Sequence, residues 1–373
     1  MKKIVQMLPA LGWGGAQVFC IQLCNELAGY PGYEVTLVSL YDHNPQHMPV
    51  SLLDKRVRFV QLGKKKGFDL KIFSRVNDLL NEIKPDVVHT HLHSGYYATW
   101  SYLRLKFPVR KIHTFHSLVT KDAPVHGRLM YKYFFKNDII TPVSISEEVL
   151  KGALKEYGAK ASVLIHNGSA PVRPTEKFDS VKKQVDQLKK DGDTRIFVNV
   201  GRIYPVKNQQ LILKVFKKLE EENRNVVALI VGGYLPEEKE FYLELLKEKP
   251  GNVHFIGKVD NVGDYLMQAD VFLMPSLYEG LPISLLEAMS AGAIPVCTPV
   301  GGLLDMVKPS IGYLSKDMSV EGYLEVIEAY LNSSPESKER MRKANMDLYQ
   351  QEFSMKSCAI KYNNLYFGET KQV

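Results

Sequence analysis

Residues 279–287 (EGLPISLLE) carry two glutamates, Glu279 and Glu287, between an apolar run and a helix-forming run. We predict that a helix starts near Ile283, with Pro282 suited to its first turn. Backbone amides at a helix start attract an anion. Carboxylates repel phosphate, so we expect both glutamates to accept hydrogen bonds from hydroxyls instead. The segment therefore indicates a site for a nucleoside diphosphate sugar, which offers ribose hydroxyls on one side of its diphosphate and hexose hydroxyls on the other.

A second candidate is the loop 200–208 (VGRIYPVKN), where Arg202 and Lys207 follow another β-branched run. A guanidinium fork and a lysine ammonium can together hold a diphosphate and neutralise it as it leaves. Taken alone, the two side chains could equally be solvated surface cations. The glutamate segment downstream favours the diphosphate interpretation.

The third candidate is the loop 12–17 (GWGGAQ), in which Gly14 and Gly15 would let backbone amides approach a phosphate. A dinucleotide fingerprint needs a small residue where Gln17 stands. The loop is a weak signal by itself, because a glycine turn between a strand and a helix is as often structural.

Two parallel sheets would position these loops, since ligands of open α/β sheets bind beyond the carboxyl ends of the strands. Short β-branched runs alternate with amphipathic stretches along the chain, which is typical of such sheets. The runs are residues 4–8, 35–40, 86–91, 111–115, 139–143, 162–165, 196–200, 226–231, 253–256, 271–274 and 294–297. We predict an α/β fold of two doubly wound, Rossmann-like domains facing a central cleft.

The length of 373 residues suits two such domains. The periodic pattern lapses over 170–193, where we place a linker, and the tail 336–367 is predicted to be helical throughout. We therefore predict a first domain over residues 1–170, with 356–373 packing back on it, and a second over 171–355. The first would bind the acceptor and the second the nucleotide sugar.

The candidate motifs together resemble the retaining glycosyltransferases of the GT-B fold, specifically glycosyltransferase family 4 with its E-x7-E motif. The resemblance extends along nearly the whole chain. It is carried by GGAQ at 14–17, His116 within TFHS, GR at 201–202 with Lys207, YEGLP at 278–282 with Glu287, and GG at 301–302. Of these, only the 279–287 segment is specific by itself.

The resemblance implies roles for the second-domain residues. Arg202 and Lys207 would hold the donor diphosphate, Glu287 the ribose hydroxyls, and Glu279 the transferred sugar. The donor-binding set would also include Gly280, Leu281, Pro282 and Ile283.

It also implies that Gly14 and Gly15 close on the same diphosphate and that His116 contacts the sugar near the reacting carbon. The backbone around Val259 would lie against the base. Tyr234 is a departure, because the family often has G-x-G-P where this chain has GGYLP. That departure puts base contacts at Tyr234 in doubt.

In the mechanism implied by the resemblance, the departing phosphate accepts the acceptor's proton on the same face of the sugar, so neither a cofactor nor a metal is expected. His89, His91 and His93 alternate and could suggest zinc, but no cysteine or carboxylate at ligand spacing accompanies them. A nucleotide-sugar epimerase or hydrolase on the same fold stays open as an alternative. So does a non-catalytic carbohydrate-binding protein.

Charge is uneven along the chain. Residues 1–170 hold 22 basic and 13 acidic residues, a balance of +9, while residues 171–373 hold 26 and 28, a balance of −2. Together with the aromatic and basic segment 128–136, this asymmetry suggests peripheral docking on an anionic membrane. A helix packed on the sheet is the alternative for that segment. Basic residues are not interleaved with stacking aromatics, so nucleic acid is not expected as a partner.

The four cysteines are too few and scattered for a disulfide scaffold, and no apolar run is long enough to span a membrane. We expect a cytoplasmic enzyme, peripheral at most on the inner face of the membrane. By analogy alone, its donor would be a UDP-sugar. Its acceptor would be a glycan or lipid-linked glycan of a bacterial surface polysaccharide, lipopolysaccharide or other glycoconjugate.

Overall fold

The computed structural model describes residues 1–43, 50–67, 69–117, 119–158 and 162–368. The chain forms two compact units, one made of Met1–Ser169 together with the chain from Met355 onward, and the other of Ala170–Ser354. The last five residues of the tail, 369–373, lie outside the described residues.

Unit 1 is built on a parallel sheet of seven strands in the order β3-β2-β1-β4-β5-β6-β7. The strands are β1 (Lys2–Leu8), β2 (Tyr33–Ser39), β3 (Arg58–Gln61), β4 (Val87–His91), β5 (Arg110–Phe115), β6 (Thr141–Ser144) and β7 (Val163–Leu164). The strand order reverses between β1 and β4. Ligands of doubly wound sheets bind at the carboxyl ends beside this reversal.

The helices of unit 1 connect these strands, as parallel pairing requires. They are α1 (Gly15–Ala28), α2 (Lys71–Ile83), α3 (Ser94–Tyr102), α4 (Val125–Lys136) and α5 (Glu147–Tyr157). A further helix comes from the end of the chain and is described below. Cys20 and Cys24 on α1 are fully buried, as expected for core packing.

Unit 2 contains a parallel sheet of six strands in the order β10-β9-β8-β11-β12-β13. The strands are β8 (Arg195–Val200), β9 (Val226–Val231), β10 (Val253–Gly257), β11 (Val271–Met274), β12 (Ile294–Cys297) and β13 (Tyr313–Leu314). The order reverses between β8 and β11. The two doubly wound sheets confirm the predicted fold class.

The helices of unit 2 are α6 (Phe178–Asp186), α7 (Gln209–Glu221), α8 (Lys239–Glu248), α9 (Val262–Leu266), α10 (Ile283–Ala291), α11 (Leu303–Met306), α12 (Val320–Leu331) and α13 (Pro335–Leu348). A π-helical turn (Tyr349–Phe353) ends α13, and α14 (Met355–Phe367) belongs to unit 1. Strands β9, β11 and β12 are buried along their whole length, because helices cover both faces of a parallel sheet.

Two sequence predictions about the elements are wrong, and two strands were not predicted. The tail is not helical throughout, because Ser354 is extended (φ −65°, ψ 147°) and separates α13 from α14. The segment taken as linker contains α6, whose buried residues are Val181 and Val185 and whose other residues are polar except Phe178. Strands β3 and β13 did not appear among the predicted runs, because neither contains a fully buried apolar residue.

Candidate functional site

Two loops of unit 2 meet beyond the carboxyl ends of β8 and β11, which are neighbours in the sheet. The amide of Leu277 donates to the carbonyl of Val206 at 2.8 Å. The side chain of Asn208 donates to the carbonyl of Pro275 at 3.1 Å. These bonds fix the loop containing Arg202 and Lys207 against the loop containing Glu279.

An ion pair between Lys207 and Glu279 joins the two loops. The Lys207 ammonium lies 2.6 Å from Glu279 Oε1. The Ser276 hydroxyl donates to the same oxygen at 2.7 Å. The Glu279 side chain is only 9% exposed and that of Lys207 28%, so the pair is shielded from water on most sides. Lys207, which is predicted to bind phosphate, and Glu279, which is predicted to bind the sugar, are thus in direct contact.

Thr298 stabilises the loop that carries Ser276 and Glu279. Its hydroxyl donates to the carbonyl of Ser276 at 2.6 Å, and the amide of Gly302 donates to the carbonyl of Glu279 at 3.3 Å. The 298–302 segment therefore holds the backbone of the glutamate loop in place.

Arg202, on the same loop, contacts residues outside the Lys207–Glu279 ion pair. Its guanidinium lies over the Tyr204 ring at 4.5 Å and 3.7 Å from Glu238 Oε1, and the side chain is 46% exposed. Glu238 also accepts the amide of Leu235 at 2.7 Å, which fixes the carboxylate. The sequence interpretation missed Glu238. The available signal was an acid three residues after Leu235 at a helix start.

The departure from the family pattern after β9 has a packing explanation. Gly232 has φ +154°, and a Cβ there would lie 1.9 Å from the carbonyl oxygen of Gly201. The amide of Ile203 donates to the carbonyl of Gly233 at 2.8 Å. Tyr234 is 41% exposed, and one face of its ring stacks on Tyr242 at 4.5 Å.

Glu287 lies on α10, which begins at Ile283 with Pro282 as its N-cap residue. It keeps part of its accessible surface, yet the protein atoms crowded around its carboxyl group raise its pKa to about 7 by desolvation. Within the described residues this carboxyl group has no hydrogen bond or ion pair. The first amides of a helix also lack intrahelical acceptors, so α10 presents backbone donors at its start, beginning with the amide of Ile283.

Val259 follows β10 and is partly buried. The adjacent Lys258 contacts the loop after β9, since a Cβ on Gly233 would lie 3.0 Å from the Lys258 Cβ. Lys207, Glu279, Arg202 and Val259 are therefore all on loops at the carboxyl edge of one sheet.

In unit 1, His116 follows β5. Its Nε2 lies 2.9 Å from His91 Nδ1, and its ring packs on Phe19 with centroids 5.4 Å apart. Burial, together with the nearby His113, lowers its pKa to about 3, so the ring is neutral at physiological pH. Burial also lowers the pKa values of His89 and His91 well below the ordinary value.

The glycine loop precedes α1 in the same unit. Gly14 is the N-cap residue of α1, and Gly15 is the first residue of that helix. A Cβ on Gly14 would lie 2.5 Å from Gln17 Oε1, the far end of a flexible side chain that can move away, so packing alone does not require glycine here. Both glycines are exposed.

His89 and His91 share a face of the sheet, with ring centroids 4.1 Å apart, but they bond to tyrosine, threonine, glutamine and histidine side chains. Across the described part of the chain, no three or more His, Cys, Asp or Glu side chains are grouped to hold a metal ion. In the same part of the chain, no helix is both long and apolar enough to cross a bilayer.

Two family models match the sequence. The model described as Glycosyltransferase Family 4 matches residues 13–171, and the model described as Glycosyl transferases group 1 matches residues 180–347. The chain is a glycosyltransferase with the GT-B fold. The two matches fall on unit 1 and unit 2 and together span most of the transferase.

Curated relatives agree with this family. The transferase is 24% identical to N-acetyl-alpha-D-glucosaminyl L-malate synthase of Bacillus anthracis, over 95% of this chain and 94% of that protein. It is 26% identical to the UDP-Gal:alpha-D-GlcNAc-diphosphoundecaprenol alpha-1,3-galactosyltransferase of Escherichia coli, over 69% and 70%. An uncharacterized glycosyltransferase of Methanocaldococcus jannaschii is 25% identical over 59% of this chain, and the match spans only 57% of that relative.

Solved structures share the fold. A glycosyltransferase from Rickettsia africae superposes with a TM-score of 0.82 at 17% identity, covering 100% of this chain and 99% of that one. The Anabaena HepE protein, crystallised with UDP, superposes with a TM-score of 0.79 at 15% identity, covering 98% and 99%. At these identities the structural similarity concerns the fold alone.

Proposed function

We propose that this glycosyltransferase is a retaining, metal-independent enzyme that moves a hexose from a UDP-sugar to a glycan or lipid-linked glycan in bacterial cell-surface assembly. The observation that carries the proposal is the Lys207–Glu279 ion pair at the strand-order reversal of unit 2. A diphosphate sugar can be bound by a cation that pairs with its phosphates and by a carboxylate that accepts from its hydroxyls. Lys207 and Glu279 provide these two groups in one contact that is largely shielded from water.

Donor binding would exchange the partners in this contact. A diphosphate carries more negative charge than one carboxylate and takes the Lys207 ammonium as its own partner. Glu279 then retains Ser276 as one donor and accepts a second hydrogen bond from a sugar hydroxyl. The partly buried carboxylate keeps its hydrogen bonds throughout, which avoids the cost of an unpaired buried charge.

Arg202 and Lys207 would then stabilise the leaving diphosphate. Positive groups fixed before the reaction stabilise charge that develops in the transition state, with little reorganisation. The leaving phosphate oxygen accepts the proton of the attacking hydroxyl on the same face of the sugar, so the configuration at the reacting carbon is retained. His116, neutral and half-buried, would contact the sugar without contributing charge, and the glycines at 14–15 would contact the diphosphate.

Glu287 would accept the ribose hydroxyls. Its raised pKa fits a carboxyl group that lacks hydrogen-bond donors in the ligand-free protein. Hydrogen bonds from ribose hydroxyls would stabilise the charged form and lower this pKa again. The uracil base is supported only by relatives, namely the UDP-sugar named for the Escherichia coli enzyme and the UDP bound to HepE.

The products test the reaction. The purified chain is incubated with UDP-hexoses, with and without a lipid-linked glycan acceptor, and NMR determines the anomeric configuration of the new linkage. Acceptor-dependent transfer with the donor's configuration is expected. Inversion would exclude the retaining mechanism, and free sugar or an epimerised donor without transfer would favour the alternatives. Undiminished turnover with a metal chelator is expected, and its loss would contradict metal independence.

An anionic membrane is the proposed docking partner, and α4 is the proposed contact. Tyr131, Phe134 and Phe135 pack into unit 1, while Val125, Leu129 and Tyr133 are 67%, 67% and 58% exposed. Lys132 and Lys136 are exposed on the same helix, which has no acidic residue. Exposed apolar side chains beside lysines suit insertion among anionic headgroups.

Vesicle flotation tests this contact. The chain should float with vesicles containing anionic lipid and remain behind with neutral ones, and Leu129→Glu should abolish flotation. Leu70→Glu is the matched control, because Leu70 is 65% exposed elsewhere in unit 1. Equal recovery with both kinds of vesicle, or equal loss in both variants, would reject α4 as the docking surface.

A further inference from the structure

The two carboxylate oxygens of Glu279 have different surroundings within unit 2. Oε1 accepts from the Lys207 ammonium at 2.6 Å and from the Ser276 hydroxyl at 2.7 Å. Oε2 has no hydrogen bond or ion pair with any residue that the structure describes, yet it keeps accessible surface, because it is not among the unpartnered side-chain oxygens that are closed off from solvent. The protein therefore holds one oxygen and leaves the other open to a ligand.

Ser276 is the donor in its contact with Glu279, whichever way the carboxylate is turned. A carboxylate has no hydrogen to donate, so the hydroxyl must supply the proton. Ser276 is 2% exposed, and the Thr298 hydroxyl donates to the Ser276 carbonyl at 2.6 Å. Thr298 directly follows β12, and its amide donates to the carbonyl of Met274 at the end of β11. The donor to Glu279 is thus buried and fixed between two neighbouring strand ends.

Lys207 and Ser276 would behave differently when the nucleotide sugar binds. The Lys207 ammonium is charged and its side chain is 28% exposed, so in the proposed reaction it turns to the diphosphate. The Ser276 hydroxyl is neutral and buried, and it stays with Glu279. Of the two described donors to the Glu279 side chain, Ser276 is then the one that remains. It keeps Oε1 in place and Oε2 open toward the sugar.

We propose that Ser276 is a positioning residue, which holds Oε1 of Glu279 in the donor complex so that Oε2 accepts a hydrogen bond from a hydroxyl of the transferred sugar. This inference rests on the proposed role of Glu279 in binding that sugar. It divides the carboxylate into an oxygen that orients the side chain and an oxygen that recognises the substrate. Ser276 itself does not touch the sugar, so its substitution acts on hexose binding only through Glu279.

Isothermal titration calorimetry with UDP and with UDP-glucose tests this role. UDP has the base, the ribose and the diphosphate but no hexose, so the ratio of the affinity for UDP-glucose to the affinity for UDP isolates the contribution of the hexose. Ser276→Ala removes a hydrogen bond to a charged group, and this ratio should fall about 10- to 100-fold. Circular dichroism checks the fold. If Ser276→Ala does not fold, Ser276→Cys keeps the size of the side chain with a weaker donor and should give a smaller fall.

Ser315→Ala is the matched control. Ser315 is another serine of unit 2 that is 2% exposed, and its hydroxyl donates to the carbonyl of Asp317 at 2.6 Å. Its substitution should leave the affinity ratio unchanged. A double variant supplies a second control. Because Ser276 acts through Glu279, adding Ser276→Ala to Glu279→Ala should not lower the ratio below that of Glu279→Ala alone.

An unchanged affinity ratio in Ser276→Ala, an equal fall in Ser315→Ala, or a further fall in the double variant would overturn the positioning role of Ser276. An unchanged ratio in Glu279→Ala would instead overturn the proposed contact between Glu279 and the sugar. The two failures are distinguishable, because the second is measured on a variant that keeps Ser276.

Discussion

Donor affinity should depend on pH through Glu287. Burial raises the pKa of its carboxyl group from 4.5 to about 7 in the ligand-free protein. Ribose hydroxyls donate to the ionised carboxylate and stabilise that form, so the bound state favours loss of the proton. Affinity should therefore rise as the pH rises through 7 and fall below it.

The magnitude follows from the ionised fraction. With a pKa of about 7, about one Glu287 in ten is ionised at pH 6 and about nine in ten at pH 8. If only the ionised form binds the ribose, affinity increases about 10-fold over this range, or about 1.4 kcal/mol. At pH 7 about half a proton should be released for each donor bound.

Isothermal titration calorimetry with UDP-glucose at pH 6, 7 and 8 measures both quantities. UDP-glucose is suitable because its diphosphate is a diester without a phosphate that titrates in this range. Two buffers with different ionisation enthalpies report the proton released. Glu287→Gln is the control, because it keeps the shape of the side chain and cannot ionise.

An equal pH dependence in the wild type and in Glu287→Gln would refute the assignment of Glu287 to the ribose. So would proton uptake on binding, because uptake requires the bound state to favour the protonated carboxyl group.

Other substitutions test the loops around the site. Lys207→Ala should lower kcat/KM by about two to three orders of magnitude without unfolding unit 2, because it removes a fixed positive charge from the leaving diphosphate; steady-state kinetics and circular dichroism check this. Lys218→Ala is the control, because it breaks only the exposed 2.9 Å ion pair with Glu321 and should leave activity unchanged. Near-normal activity of a folded Lys207→Ala variant would contradict the assignment of Lys207 to the diphosphate. Gly232→Ala should cost about 3 kcal/mol in chemical denaturation, because the new Cβ would overlap the carbonyl of Gly201. A cost as small as that of Gly192→Ala, where a Cβ would meet open space, would show that the loop relaxes easily.

The elements that the sequence predicted well are those buried on both faces. Strands β9, β11 and β12 coincide with the predicted apolar runs, because every residue in them lies between two helical layers. Strand β3 escaped prediction because it is a short edge strand whose terminal residues, Arg58 and Gln61, are exposed. Helix α6 escaped because only Val181 and Val185 mark its buried face.

The candidate site divides in the same way. The closeness of Lys207 and Glu279 could be anticipated, because residues after neighbouring parallel strands must meet at one edge of the sheet. Ser276 as partner of Glu279, and Glu238 as partner of Arg202, depend on the local course of loops that no periodicity encodes. The hydrogen bond between Gln6 and Tyr366 was beyond prediction for a different reason, since the two residues are 360 positions apart.

The assignment of α14 to unit 1 affects the order in which the protein is made. Residues 170–354 lie between the two parts of unit 1, so the ribosome completes unit 2 before it has synthesised Tyr362 and Tyr366, which fill the interior of unit 1. Until these residues leave the exit tunnel, the imidazole ring of His89 lacks the two tyrosine side chains that pack against it. The nascent chain therefore carries an unfinished first unit while the second folds, and removal of α14 would damage the part of the protein that is synthesised first.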